Sequence, residues 1–404
     1  MTTTINNEHK KLNVPNLRFP EFQGEWEESS IGEMFDLYSG NTPSRLNKEH
    51  FKGTVNWISS GELKEHYIYS SKEQISEEAA KSLKLLPVGT FVIAIYGLEA
   101  EGVRGTGSIT QEPSTISQAC MSFISKGVIE NEFLYSWYKK HGNVIGIRYA
   151  QGTKQQNLSY DILEKFRIAY PNTKEQEKLN KFISLLDERI ATQSKIIDKL
   201  QSLIKGINQR VFMNSGINYK LGEICEIRNG YSGSQLLSKK GLKVSRIETI
   251  SGHKVNMERV GYVAPFESSE KYRLRVGDIL FSNINSVEYI GNTAFIDKDY
   301  DLYHGMNLLR LTPNNMVVIP FYLYLLLNTN RMLNHFKTVC NKAVSQASIN
   351  QTELGKTVIQ IPPIKTQKQI CELYQALYTK LETASHTKSL FQNQKQYLLR
   401  QMFI

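Results

Sequence analysis

The sequence predicts an α+β protein built as an internal repeat, two similar globules each followed by a long helix. Three observations carry this. The 404 residues, 40% hydrophobic and 22% charged, have the composition of an ordinary globular chain with room for two or three cores. Ile31-Gly32-Glu33 returns as Leu221-Gly222-Glu223, an offset of 221 − 31 = 190 residues, and Pro171, Lys174 and Gln176 return as Pro362, Lys365 and Gln367, an offset of 362 − 171 = 191. A period that long exceeds any solenoid repeat, so each copy is a domain-sized unit with its own core. After each of those prolines the apolar residues recur in sevens, the pattern of a helix that wants a partner helix.

The elements follow in order. Residues 1–16 are expected as a flexible tail, because the opening stretch is polar and has no apolar core of a signal peptide. Residues 17–169 form the first globule, with strands expected at 54–58, 90–95 and 121–124 between Gly, Pro, Ser and Asn. A helix is expected over 76–86, capped by Ser76 and ended by Pro87, and another over 132–141. Residues 170–214 form the first long helix. Its two apolar columns are Leu179, Leu186, Gln193, Leu200, Ile207 and Ile183, Ile190, Ile197, Ile204, Val211, broken only at Gln193. From 179 to 211, at about 1.5 Å per residue, this is a rod of roughly 50 Å. Residues 215–360 repeat the globule, with a strand at 278–282 and a helix over 320–336. Residues 361–404 form the second long helix, with columns Ile370, Leu377, Ala384, Phe391, Leu398 and Tyr374, Leu381, Lys388, Lys395, Met402. The two stripes are expected to cover each other; the alternative is that each packs on its own globule.

A formal charge of +10 favours a polyanionic partner, nucleic acid or an anionic membrane surface, over a merely basic protein only weakly. The longest apolar run, 316–327, is interrupted by Pro320 and is too short to span a membrane, so the cytoplasm is the expected compartment. Cys120, Cys225, Cys340 and Cys371 show no CxxC or Cys/His spacing, which leaves four buried thiols and no metal site. Catalytic signatures are also missing. Pro362-Pro363 follows Ile361 and not the polar residue of a base-methylating loop, Gly105-Thr106-Gly107 reads as a turn, and no phosphate-binding GxxxxGK[ST] loop occurs. Glu62 and Lys64 lack the upstream carboxylate that metal-assisted DNA cleavage requires, and no His lies near a nucleophile elbow.

The pattern suits a reader. Arg148, Thr153, Lys154, Gln155, Gln156 and Asn157 fall in one loop, and Lys342, Ser345, Gln346, Ser348 and Asn350 in its counterpart. Arg and Lys pair with guanine and Gln and Asn with adenine, although such loops are also ordinary surface. Arg45, Lys48, Tyr231, Ser234, Lys239, Arg246, Asn283 and Asn285 complete the candidate DNA-binding set.

Taken together, the repeat and motifs resemble the specificity subunit of Type I restriction-modification systems over nearly the whole chain. The likeness lies in Leu17-Arg18-Phe19-Pro20-Glu21-Phe22, Trp26, Ile31-Gly32-Glu33, Gly40-Asn41-Thr42-Pro43-Ser44, Trp57-Ile58-Ser59-Ser60-Gly61-Glu62-Leu63, Pro87-Val88-Gly89-Thr90, Gly152-Thr153 with Asn157-Leu158-Ser159, and Tyr170-Pro171 with Glu175-Gln176. The resemblance implies two target recognition domains, each reading half of a split double-stranded DNA target, with the helices as an antiparallel coiled-coil spacer. It also implies a subunit without a catalytic site or bound cofactor. S-adenosylmethionine would belong to two modification subunits, and ATP and magnesium to two restriction subunits. Gly230-Tyr231-Ser232-Gly233-Ser234 replaces the Thr-Pro-Ser form, and Thr366 replaces Glu175, so the target is expected to be asymmetric. A stand-alone restriction-methylation enzyme and a coiled-coil scaffold for proteins are the rival readings.

Overall fold

The computed structural model describes residues 12–100, 102–152, 156–212, 216–343 and 346–404. The chain divides into two compact units, Met1–Ser194 with His386–Ile404, and Lys195–Ser385. Of the stretch expected as a tail, residues 1–11 lie outside the described residues. The carbonyl of Asn13 accepts the Trp26 N–H at 2.7 Å.

In the first unit β1 (Glu27–Ser30) leads through α1 (Ile31–Met34) into β2 (Phe35–Ser39). There follow β3 (Val55–Ile58), β4 (Tyr67–Ile68), β5 (Glu73–Ile75), α2 (Glu77–Lys81), β6 (Phe91–Ala94), β7 (Gly107–Thr110), β8 (Ser114–Ile116) and β9 (Cys120–Ser125). Then come α3 (Asn131–Tyr149), α4 (Tyr160–Glu164), β10 (Arg167–Tyr170) and the start of α5 (Thr173–Val211). A five-stranded sheet in the order β2-β9-β6-β7-β4 is flanked by β5-β3-β8 and the pair β1-β10. β6 is buried along its length because α3 lays Tyr135 and Tyr138 against Phe91, 6.0 and 5.7 Å between ring centres. Two helices differ from expectation. Ser76 does cap α2, its Oγ accepting from Ala79 N at 3.3 Å, but the helix stops at Lys81 because Leu86 exchanges main-chain bonds with Ser114. α3 runs on to Tyr149 through Gly142 and Gly146. A Cβ on Gly146 would stand 2.6 Å from Arg104 Cγ, so that glycine serves close packing.

In the second unit the order is β11 (Ile217–Lys220), α6 (Leu221–Ile224), β12 (Cys225–Asn229), β13 (Leu242–Val244), β14 (Gly261–Val263), β15 (Ile279–Ser282), β16 (Ile284–Asn285), β17 (Thr293–Phe295) and β18 (Leu308–Pro313). α7 (Pro320–Leu327), α8 (Asn330–Val339), β19 (Asn341–Lys342), β20 (Ala347–Ser348), α9 (Gln351–Gly355), β21 (Val358–Ile361) and α10 (Ile364–Met402) complete it. The main sheet is β12-β18-β15-β17, with β16-β20-β19, β13-β14 and β11-β21 beside it. The single helix expected over 320–336 is two, since Thr329 accepts from Met332 N at 3.3 Å and caps a new start.

The repeated motifs have physical reasons. Glu33 and Glu223 accept the main-chain N–H groups of Ser30 and Lys220, at 2.7 and 2.8 Å, closing the turn into α1 and α6. Gly32 lets α4 approach, because a Cβ there would lie 2.6 Å from Glu164 Cγ. Gln176 is fully buried: its amide N–H groups reach Pro171 O and Val128 O at 2.8 and 3.0 Å, and its oxygen accepts Glu130 N at 2.9 Å. Gln367 repeats this with Pro362 O, Val317 O and Ile319 N at 2.8, 3.1 and 2.8 Å. Each glutamine stitches the start of a long helix to the loop that opens α3 or α7. Arg18 grips the buried Glu175 through both carboxylate oxygens at 2.7 Å, a pair the uncharged Thr366 does not offer.

α5 and α10 hold 39 residues each, about 58 Å of helix. In the first unit Asp187 pairs with Lys395 at 2.6 Å and the Arg189 guanidinium lies 5.8 Å from the Phe391 ring, so the helices run antiparallel. In the second unit the Tyr374 hydroxyl donates to Asn208. The helices also pack on the globules, so the two arrangements weighed from sequence coexist. Leu179, Ile183, Leu186 and Leu398 enter the first core; Ile370 and Tyr374 enter the second, with Ile204, Ile207 and Val211 packed against it. Leu377 is buried, and Ile190, Ile197, Leu200, Leu381 and Phe391 are half-buried between exposed neighbours. All four cysteines are buried and free. No helix among the described residues is long and apolar enough to cross a membrane.

Candidate nucleic-acid interface

The segment after α3 and the segment after α8 each return as a polar hairpin against the end of a central strand. In the first unit Gln151 and Asn157 exchange N–H···O bonds of 2.8 and 2.9 Å, and Asn157 also bridges Tyr96 just beyond β6. In the second, Lys342 pairs with Ala347 and Asn341 with Ser348, while β16 adds Ile284 and Asn285 on the other side of β20. A narrow ribbon with hydrogen-bonding edges has the shape the DNA major groove admits.

The hairpins gather part of the candidate set. Arg148 is exposed in the last turn of α3, leading into the first hairpin. Gln156 braces it: its N–H donates to Glu99 Oε2 at 2.8 Å, which holds that carboxyl below its usual range, and its side-chain oxygen accepts from Arg104 at 2.9 Å. In the second hairpin Lys342 and Gln346 are exposed and Ser348 half-buried. Asn285 donates to Ser282 Oγ at 3.0 Å. Asn283 is buried, its main-chain oxygen accepting from Ile349 at 2.9 Å and its side-chain oxygen unpartnered among the described residues. Asn350 caps α9, accepting from Glu353 N at 2.8 Å. Thr153, Lys154, Gln155 and Ser345 lie outside the described residues.

Other candidates stand elsewhere. Arg45 is bonded bidentately to Glu73 at 2.7 and 2.8 Å and lies 4.3 Å from the Phe51 ring centre, in a small layer around Trp57 and Ile75. Lys48 is exposed at the start of the turn beside it. Tyr231 is stacked on Phe266 with ring centres 4.0 Å apart, so that one face of its ring is spent on packing. Ser234 and Lys239 are exposed on the loop that follows, and Arg246 is exposed and 3.6 Å from Glu248.

Sequence reasoning missed two constellations. Arg228, Lys271, Arg273, Arg275 and Arg310 line one cleft of about 340 Å³ in the second unit. The available signal was Arg310 inside the apolar run Leu308-Leu309-Arg310-Leu311, since arginine is seldom buried unless paired. The other lies in the first unit, where the His66 imidazole sits between Tyr67 and Tyr135, 4.0 and 3.9 Å away. Its Nε2 is 2.8 Å from Glu132 and its Nδ1 3.5 Å from Asp187, which also accepts from Lys395. Burial opposes charge on His66, but the Asp187 and Glu132 carboxylates outweigh it and hold the imidazole above its ordinary value. Burial likewise opposes charge on Asp187, and His66 with Lys395 holds it low. Burial and then the Lys395 charge push Lys139 down to about 8. Among the described residues no group of His, Cys, Asp and Glu is arranged to hold a metal ion.

A chain that carries one α+β unit twice, with a polar ribbon at the same place in each, is of the class that presents paired recognition surfaces. The family model of the Type I restriction modification DNA specificity domain matches residues 23–202 and again 217–390, and the chain belongs to that family. The MjaIX specificity subunit of Methanocaldococcus jannaschii is 23% identical over 389 residues, covering 88% of each chain. A second protein of that organism, provisionally named as the specificity subunit of type I restriction enzyme MjaX, is 40% identical over 188 residues, 46% of this chain and 44% of that one. The crystal structure of the S subunit of a type I system from M. genitalium superposes with a TM-score of 0.60 at 16% identity, covering 97% of this chain and 99% of that one, which shows the shared fold.

Proposed function

We propose that this chain is the DNA-specificity subunit of a Type I restriction-modification complex, acting in the cytoplasm. Each unit binds one half of a bipartite, asymmetric double-stranded target through its hairpin and neighbouring loops. Lys and Arg contacts to phosphates supply most of the affinity, and side chains such as Gln156, Asn157, Lys342 and Gln346 supply selectivity. α5 and α10 set the spacing between half-sites and dock two modification subunits, around which two restriction subunits assemble. The chain itself catalyses nothing: S-adenosylmethionine, ATP and magnesium are handled by those partners.

The observation that supports this most is the double match of the DNA specificity family, one copy on each unit, with the polar ribbon duplicated at equivalent positions. Genomic methylation mapping with and without the chain tests it. A split motif should vanish on deletion, and replacing the second hairpin should alter one half of the motif alone. A heptad added to both helices should lengthen the unread gap and leave both half-sites intact. Methyl transfer by the purified chain alone, or a motif indifferent to its deletion, would refute the reading.

A further inference from the structure

Arg310 stands on β18 of the second unit's sheet, directly opposite Arg228 on the edge strand β12. Like charges facing each other across a ladder repel. Arg228 has a carboxylate partner, Glu226 on its own strand. Arg310 does not: among the described residues it forms no ion pair, and its side chain is enclosed at 8% exposure. One terminal nitrogen donates to the Arg273 carbonyl at 3.1 Å, while the buried Nε has no partner. An enclosed, uncompensated guanidinium is costly in any fold.

The space beside it is fitted to remove that cost. Arg310, Arg228 and Lys271 together line two adjoining clefts of about 340 and 370 Å³. Arg273 and Arg275 line the first, as do the carboxylates Glu226, Glu270 and Asp278, so that five cations face three anions there. The nearby Asp278 carboxylate is already engaged, by Arg275 N at 2.8 Å and the Thr312 hydroxyl at 2.6 Å. Arg273 is paired with Asp299 at 3.0 Å and Asp301 at 3.8 Å. His304, on the rim of the second cleft, is pushed down to about 4 by burial, with the Arg310 charge adding to it, and so brings no negative or titrating group. At the equivalent cross-strand pair of the first unit stand Tyr38 and Ser122. The doubled arginine therefore belongs to the second unit and not to the shared scaffold.

We infer that this cleft is an oxyanion site, in which Arg310 and Arg228, the latter exchanging Glu226 for the ligand, hold a phosphate group and Lys271 and Arg275 complete its neutralisation. On the DNA reading above, that group is a backbone phosphodiester; the site itself does not depend on that reading. A planar guanidinium pair matches phosphate oxygens with two parallel bonds each, which lysines do not reproduce.

The test uses the whole chain, with Arg310→Gln, Arg310→Lys and the more exposed Arg228→Gln as variants. Inorganic phosphate is titrated by phosphorus NMR, and binding to a duplex of arbitrary sequence is followed against salt. Phosphate affinity should fall about tenfold or more in Arg310→Gln and Arg228→Gln, with Arg310→Lys between them and wild type. For a backbone phosphate, the slope of log affinity against log salt should also drop by about one. Phosphate binding that is absent in wild type, or unchanged in a folded Arg228→Gln chain, overturns the site. Lost phosphate binding with an unchanged duplex slope keeps the site and assigns it to a small soluble phosphate. Arg310-dependent phosphate binding by a chain that binds no duplex keeps the site and defeats the DNA reading.

Discussion

The joint between globule and long helices is built twice from opposite chemistries. Gln176 and Gln367 set the common register: Asp187 and Lys395 of the first unit correspond to Tyr378 and Ile204 of the second, and Glu132, two residues past the Glu130 N–H that Gln176 accepts, corresponds to Phe321, two past the Ile319 N–H that Gln367 accepts. The first joint is the ionic network around His66. The second is aromatic: Phe321 lies 5.4 Å from Phe295, 6.0 Å from Tyr324 and 6.4 Å from Tyr378, and Tyr374 lies 6.1 Å from Tyr378. The backbone does not care which. Its geometry is set by the buried glutamine and the heptad seam, so the filling between them is free to be charged or apolar provided every partner is present.

The largest test of that contrast is truncation of the aromatic joint. Tyr374→Ala should cost about 4 kcal/mol in the second unit's unfolding, through lost burial and the cavity left behind. Removing what the units share comes next. Gln176→Ala and Gln367→Ala each strand three main-chain groups and should cost about 3 kcal/mol apiece; unequal losses in thermal or urea unfolding would mean the two stitches are not equivalent. In the ionic joint, Asp187→Ala leaves Lys395 and His66 half-buried without their shared carboxylate and should cost about 2 kcal/mol. The double variant Asp187→Leu with Lys395→Ile should cost less than Asp187→Ala alone, and a strictly additive result in the mutant cycle would contradict the network.

The smallest effect separates the joints by pH. His66 titrates higher in the fold than in the unfolded chain, so its stabilisation is complete below its ordinary pKa of about 6.5 and is lost as pH rises through the elevated folded value. The stability difference between wild type and His66→Gln should therefore shrink from pH 6 towards alkaline pH. His141 and His304, pushed down to about 4 chiefly by burial, act in the opposite sense. They are common to both chains and cancel in that difference. Tyr378→Phe should shift stability equally across the same range, and a slope there would erase the contrast.

Much of the framework was legible because it is written in local periods. The seam residues recur every seven, and β6, β9 and β15 are short apolar runs between turn formers. The errors arose where tertiary contacts override local preference. Gly142 and Gly146 discourage a helix, yet Tyr138 and Arg104 need the space they leave, so α3 continues through them. The ionic joint was invisible because His66, Glu132, Asp187 and Lys395 come from four distant stretches of sequence, each unremarkable by itself. For the candidate interface, the two polar loops stood out by composition, whereas the Tyr231 ring is stacked on Phe266 and the Arg45 guanidinium lies over Phe51, contacts that composition does not reveal.

The first unit closes around the last residues of the chain: Met402 and Phe403 fill its core, Phe403 lies 5.2 Å from Phe133, and the main-chain oxygen of Ile404 accepts from the Trp137 indole at 3.1 Å. The second unit is one uninterrupted stretch, 195–385. During synthesis on the ribosome the later unit has all its residues once 385 has emerged, whereas the earlier unit still lacks 386–404. A product cut at 385 would keep every residue of the second unit and strip the first of Leu398, Leu399, Met402 and Phe403 from its core.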